Sequence, residues 1–172
     1  AKDIDAVAVY TPAPDHARHV EMVLNSGKHA ISAVPLGMDL EECERVLETV
    51  KRTGLTYMMA ETSFYRQETI TARQWYKEGR FGEITCVEGE YYHDHTGPNL
   101  QYWHDPRGPT WRYGFAPMHY PTHSTAFLTG VTGERITEVS CMGWGDDDTV
   151  LKTNSYKNPF WNCMALCRTD RG

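Results

Sequence analysis

The 172 residues contain no long apolar run, no excess of positive charge and no regularly spaced set of cysteines. A helix crossing a bilayer needs roughly 20 mostly apolar residues. Nothing here approaches that, and the mean hydropathy is −0.57, so no membrane span or membrane partner is expected. Lys and Arg total 17 against 23 Asp and Glu, a formal net charge of −6. An acidic chain of this kind lacks the electrostatic footprint of a nucleic-acid binder. The opening AKDIDAVAVY has no basic segment followed by an apolar one, so no signal peptide is read there. Five cysteines, Cys43, Cys86, Cys141, Cys163 and Cys167, are scattered, and CMALC is one residue too wide for Cys-x-x-Cys. The expectation is a reduced, cytoplasmic chain. There is also no nucleophile elbow, P-loop, paired zinc knuckle or Gly-x-Gly-x-x-Gly turn.

What is present first is a βαβ rhythm. Ile4–Tyr10 is a short β-branched run ending in Thr11-Pro12-Ala13-Pro14, where two prolines stop strand pairing. From Asp15 to Ser26, the residues Ala17, Val20, Val23 and Leu24 share a helical face, and Gly27 closes it. His29–Ala33 reads as a second strand. Asp39 then caps a helix with Leu40, Cys43, Val46, Leu47 and Val50 inward, Gly54 ends it, and Leu55–Ala60 is a third strand. Three strands alternating with two helices specify a parallel α/β sheet with right-handed crossovers.

After Glu61 the pattern changes. Gln67–Gly79 reads as a helix with Ile70, Ala72, Trp75 and Tyr76 as its heavier side, and Glu83–Asp94 as a long strand. Residues 95–117 read as a long aromatic-rich loop, 122–128 as a helix start and 136–144 as a strand. The fold class expected is α/β: a parallel, doubly wound half (residues 1–62), followed by an incomplete, mixed α+β part (residues 63–172). The chain opens inside a βαβ rhythm and closes on Thr169-Asp170-Arg171-Gly172, which looks like a turn awaiting its return strand. An internal portion of a larger protein is expected.

Four segments, in order, carry a resemblance: AVAVYTPAPDHARHVEMVLNSGKHAISAVPLGMDLEECERVLETV, YMMAETSFYRQE, GRFGEITCVEGEYYHD and WRYGFAPMHYPTHS. The sequence resembles the Gfo/Idh/MocA oxidoreductases over nearly its whole length. The resemblance implies an NAD- or NADP-binding Rossmann domain, a following α/β domain with an open mixed sheet that binds a small sugar-like substrate, and a homo-oligomer. It also implies a glycine-rich loop ahead of Ala1. The family commonly shows Glu-Lys-Pro where this chain has Ala33-Val34-Pro35, and valine can neither give nor take the proton that the lysine handles. Tyr120-Pro121-Thr122-His123, with EGEYYHD, looks more like the NAD-dependent glycosidase branch of the same superfamily. That branch oxidises a sugar hydroxyl transiently, eases loss of the glycosidic substituent and returns the hydride.

Against that background His123 is the candidate base, because a neutral imidazole suits abstraction of a hydroxyl proton; the alternative is a buried histidine bonded to backbone. Tyr120, three residues earlier, is a second candidate for proton exchange or else a core aromatic. It would need a lowered pKa, with Arg112 or His119 supplying the cation. Thr11, Pro12 and His16 follow the first strand on the edge where doubly wound sheets bind ligand, and they are read, with Pro35, as cofactor contacts. Glu61 ends the third strand and is either a cofactor contact or a hinge carboxylate. Trp111 and Arg112 resemble the family pair that approaches the nicotinamide. Tyr65, His93 and His119 are substrate-side candidates, Tyr65 with interdomain packing as its alternative. His93, Asp94 and His95 have a spacing that tempts a metal reading, but the resemblance offers none, and no metal is expected. Tyr102, Trp103, Trp111 and Tyr113 resemble the aromatic wall of a carbohydrate site.

Overall fold

The structure is a computed structural model that describes residues 2–94, 104–105, 107–145 and 149–172. Two compact units divide at Glu61 and Thr62. The first holds a three-stranded parallel sheet in the order β1 (Ala6–Val9), β2 (His29–Ser32), β3 (Tyr57–Met59). Ala6 pairs with His29 and Ala30 with Tyr57, so every strand runs the same way and all C-terminal ends meet on one edge.

Helix α1 (His16–Asn25) follows a 3-10 turn at Ala13–Asp15, and α2 (Leu40–Thr53) connects β2 to β3. Ala17, Val20 and Leu24 are fully buried and pack with Val9, Ala30 and Val46 as the unit's core. The Asp39 side chain accepts from the Glu42 amide at 2.8 Å, and Gly54 closes α2 at φ 67°. An aspartate cap of this type contributes about 1 kcal/mol. Asp39→Ala is therefore expected to lower unfolding free energy by that amount in a urea titration, with Asp39→Ser close to wild type.

The expected inward face of α2 needs correction. Val46 is 1% exposed, but Leu40 is 79% and Leu47 51% exposed. At about 100° per residue these two leucines lie roughly a quarter-turn or more round from Val46. Thr49, on the other flank, is buried in their stead.

The second unit has a 3-10 turn at Thr62–Tyr65, α3 (Gln67–Lys77), a short antiparallel pair β4 (His104–Asp105) and β5 (Gly108–Pro109), α4 (Thr122–Thr132), β6 (Ile136–Trp144), α5 (Thr149–Thr153) and β7 (Asn162–Thr169). α3 packs on α4. The Arg73 guanidinium seals that contact, donating to the backbone oxygens of Gly130 and Phe64 while lying 4.1 Å from the Phe64 ring centre. A side chain at Gly130 would press on Phe64 at about 2.9 Å, so the glycine permits the close approach. Thr69, rather than Ile70 or Trp75, is the buried residue of α3, and those two are about 40% exposed.

β6 matches its expected bounds and pairs antiparallel with β7, which no sequence signal had marked. Residues 83–94 do not form the expected long strand; they run without a ladder partner and are mostly exposed. Alternating polarity needs a neighbour to become a strand. Among the described residues the second unit's sheets are therefore antiparallel rather than mixed. His95, Tyr102 and Trp103 lie outside the described residues, as do the side chains of His104 and Asp105. No described helix is long and apolar enough to cross a membrane.

Candidate functional site

In the first unit, the C-terminal edge of the sheet gathers the expected residues. Thr11 and Pro12 are exposed just beyond β1, and the Thr11 hydroxyl lies 3.0 Å from His19 Nδ1. His16 has another place than the one expected of a ligand contact. It is 2% exposed, with Nδ1 2.6 Å from the Pro35 carbonyl oxygen and Nε2 2.8 Å from that of Thr11. Both ring nitrogens are engaged by backbone, so His16 is a clip joining the chain after β1 to the chain after β2. Pro35 follows a cis Val34-Pro35 bond. Glu61 is buried beyond β3, its amide donating to Met59 O at 2.9 Å.

This edge can be tested against a nicotinamide dinucleotide by its chemistry. Thr11, Pro12 and Pro35 offer a hydroxyl, ring faces and fixed carbonyls, which suit a flat ring carrying a carboxamide. None supplies the positive charge or glycine-rich amide cradle that a pyrophosphate needs. The residues fit the nicotinamide side of such a cofactor.

In the second unit, aromatic rings and imidazoles form one cluster. α4 opens immediately after Pro121 and carries His123, 9% exposed, in its first turn. The Tyr91 ring stacks on His123 at 4.3 Å between centres, and Tyr120 stands edge-on to it at 5.8 Å. Tyr120 in turn stacks on Phe115 at 5.5 Å, and Phe115 meets Trp111, His119 and Tyr156. His93 lies at the exposed rim, 5.0 Å from Tyr91 and 6.4 Å from Tyr120. Arg112 is exposed, with its guanidinium 4.1 Å from the Trp111 ring centre. Tyr65, 52% exposed, sits on the 3-10 turn edge-on to Phe64.

The electrostatics correct one expectation. Burial pushes the Tyr120 phenol up, Tyr91 adds to this, and Arg112 offsets only part. His119 cannot supply the missing cation, because burial holds its imidazole below the ordinary range. Tyr120 thus stays a protonated phenol at neutral pH, able to donate a hydrogen bond but not to act as a phenolate. Partial burial also lowers His93, and the neighbouring His123 and Arg112 act in the same direction.

Lowered imidazoles in the folded state have a stability consequence. As pH falls below about 6.5, the unfolded chain takes up protons first. The stabilisation is present above that value and is lost as pH drops toward the folded values. The urea midpoint is expected to be lower at about pH 5 than at pH 7, with a shallower fall in His119→Gln.

Sequence reasoning missed Phe115, Tyr156 and the device that holds the Trp111–Phe115 turn. Asn154 and Asn158 are both buried. Asn158 Nδ2 donates to Gly114 O and Phe160 O, and Asn154 Nδ2 donates to Val150 O and Asn158 O. Gly114 has φ 77°, and a side chain there would overlap Asn154. The Tyr156 hydroxyl donates to Trp111 O. Two asparagines four residues apart in a polar stretch gave no signal, since what they hold, the turn at Gly114, lies 44 residues before Asn158.

Comparisons with known proteins place these units. Residues 1–61 match the Gfo/Idh/MocA family model, described as an oxidoreductase family with an NAD-binding Rossmann fold. An alpha-N-acetylgalactosaminidase of Shewanella oneidensis is 37% identical over 92 residues, 54% of this chain and 20% of that protein. A glycosyl hydrolase family 109 protein of another Shewanella gives the same figures. The chain thus spans only a fifth of these curated relatives. Among solved structures, a myo-inositol dehydrogenase assigned in Sinorhizobium meliloti superposes with TM-score 0.77 at 21% identity, over 100% of this chain and 49% of that one. A scyllo-inositol dehydrogenase of Lactobacillus casei, solved with NAD(H) and scyllo-inositol, gives TM-score 0.71 at 22% identity, over 98% and 48%. At these identities the structural likeness shows the fold.

Proposed function

We propose that the protein, whose residues 1–61 match the Gfo/Idh/MocA oxidoreductase family model, oxidises a hydroxyl on a sugar, cyclitol or related ring with NAD or NADP. The observation that carries this reading is the second-unit cluster: a buried imidazole, His123, stacked on Tyr91 and flanked by Tyr120. The bound nicotinamide would supply the hydride acceptor. Thr11, Pro12, Pro35 and Glu61 are the proposed nicotinamide-side contacts, with His16 tying the Thr11 and Pro35 carbonyls; Trp111 and Arg112 are proposed cofactor contacts as well. His123 takes the hydroxyl proton, in the role that Val34 cannot fill. Protonated Tyr120 donates to a substrate oxygen and orients it. Apolar ring faces suit the C–H face of a sugar, and His93, His119 and Tyr65 are proposed substrate contacts. We read the protein as a homo-oligomer.

A second reading, a redox-assisted glycosidase, is favoured by the 37% identity to an alpha-N-acetylgalactosaminidase. Both begin with hydroxyl oxidation, so the same residues serve. Full-length protein with NAD and a free sugar or inositol is expected to form NADH stoichiometrically. Release of the aglycone from a chromogenic N-acetylgalactosaminide without NADH accumulation would replace the first reading by the second. Tight ligand binding with neither outcome would mark a ligand-binding relative that lost turnover.

A further inference from the structure

The face of the β6–β7 ladder carries a thiol pair that no step above uses. In the register, Cys141 faces Ala165 and Cys163 faces Gly143, so the cysteines are diagonal neighbours across the two strands. Side chains alternate along a strand, so both thiols project from the same face. Cys167, opposite Val139, lies on the other diagonal of Cys141. The two diagonals are not equivalent: Cys163 is partly buried, and its thiol is pushed up by burial and by the Cys141 thiol beside it. Cys141 is exposed and Cys163 half-buried, so a reagent from solvent meets Cys141 first.

We propose that Cys141 and Cys163 are a redox-active pair that closes to a disulfide when a small-molecule disulfide is supplied. The exchange balances. The Cys141 thiolate attacks one sulfur of the oxidant, forming a mixed disulfide and releasing the first small thiol. Cys163 then gives up its proton and attacks Cys141 Sγ, releasing the second small thiol. Two protein thiols are oxidised and one small disulfide is reduced to two thiols.

Geometry also says what kind of bond this is. Diagonal residues in an antiparallel pair stand about 7–8 Å apart, whereas relaxed disulfides prefer Cα separations below about 7 Å. Closing the bond therefore needs a small shear of β6 against β7. A strained bond is the more easily reduced kind, suited to reversible use rather than to a permanent staple. β7, which carries Cys163, packs against the turn at Pro117–His119, just ahead of Tyr120, which puts this chemistry beside the ring cluster. The inference does not depend on the proposed activity.

The test is incubation of the 172-residue chain with oxidised glutathione, followed by alkylation, digestion and mass spectrometry. The expected result is an intact mass lower by two hydrogens and a linked peptide pair containing Cys141 and Cys163, reversed by dithiothreitol. Cys163→Ser should trap Cys141 as a lasting glutathione adduct, and Cys141→Ser should form no intramolecular bond at Cys163. Adducts without closure in the wild type, or a Cys141–Cys167 linkage in place of the expected one, would overturn the assignment.

Discussion

His123→Ala is expected to lower kcat of the full-length protein by about a hundredfold or more while leaving NAD affinity nearly unchanged. The size follows from removing a positioned general base, which typically contributes about 100- to 10,000-fold. The adjacent phenol cannot take over the proton, because burial keeps Tyr120 protonated. The split between kcat and cofactor affinity is expected because His123 belongs to the ring cluster of the second unit, while Thr11, Pro12, Pro35 and Glu61, proposed for the nicotinamide side, belong to the first. Tyr120→Phe should cost less, since it removes one hydrogen bond and keeps the Phe115 stack. Steady-state kinetics with cofactor titration checks both. Near-full turnover in His123→Ala would make this histidine structural.

The second large effect is on stability. His16→Ala is expected to cost about 3 kcal/mol of unfolding free energy in urea, because it empties a buried site and removes the imidazole that lies between two carbonyl oxygens. His16→Gln should recover part by satisfying one of the two carbonyls. The loss should be accompanied by weaker cofactor binding in the full-length protein, since the chain after β1 and after β2 would no longer be tied together. An alanine variant as stable as wild type would show that the clip contributes nothing.

The two histidines also mark how far the sequence could be read. The first unit was legible because its signals are local. Ala17, Val20 and Leu24 announce a buried face by spacing, Asp39 and Gly54 announce both ends of α2, and the prolines after Tyr10 announce the end of a strand. The position of His16 just beyond the C-terminal end of β1 was legible as well, but its two carbonyl partners were not, because Pro35 lies 19 residues away. In the second unit, β6 showed itself by β-branched content, yet β7, with Asn162, Cys163, Met164, Ala165 and Cys167, reads as a strand only beside its partner. Conversely, 83–94 has the pattern without the partner. His123 and Tyr120 were visible as candidates, whereas the stack of Tyr91 on His123 joins residues 32 positions apart and has no periodic trace. The direction of the Tyr120 shift was not legible for the same reason: burial, which a sequence does not display, outweighs the nearby cation.

The Asn154–Asn158 latch has a consequence for how this surface can change over time. Its grip on the Trp111–Phe115 turn at Gly114 is through a backbone oxygen, and the added bond from Tyr156 also ends on a backbone oxygen. Neither asks anything of the side chains at 111, 112 or 113. Mutation can therefore sample new residues at those positions while the turn keeps its path, and selection for a different ligand can proceed without first repairing the scaffold. Gly114 is the exception, fixed by its backbone angle and by the asparagine packed against it. A library randomised at 111–113 on an unchanged latch should yield mostly folded proteins, whereas randomising 114, 154 or 158 should not.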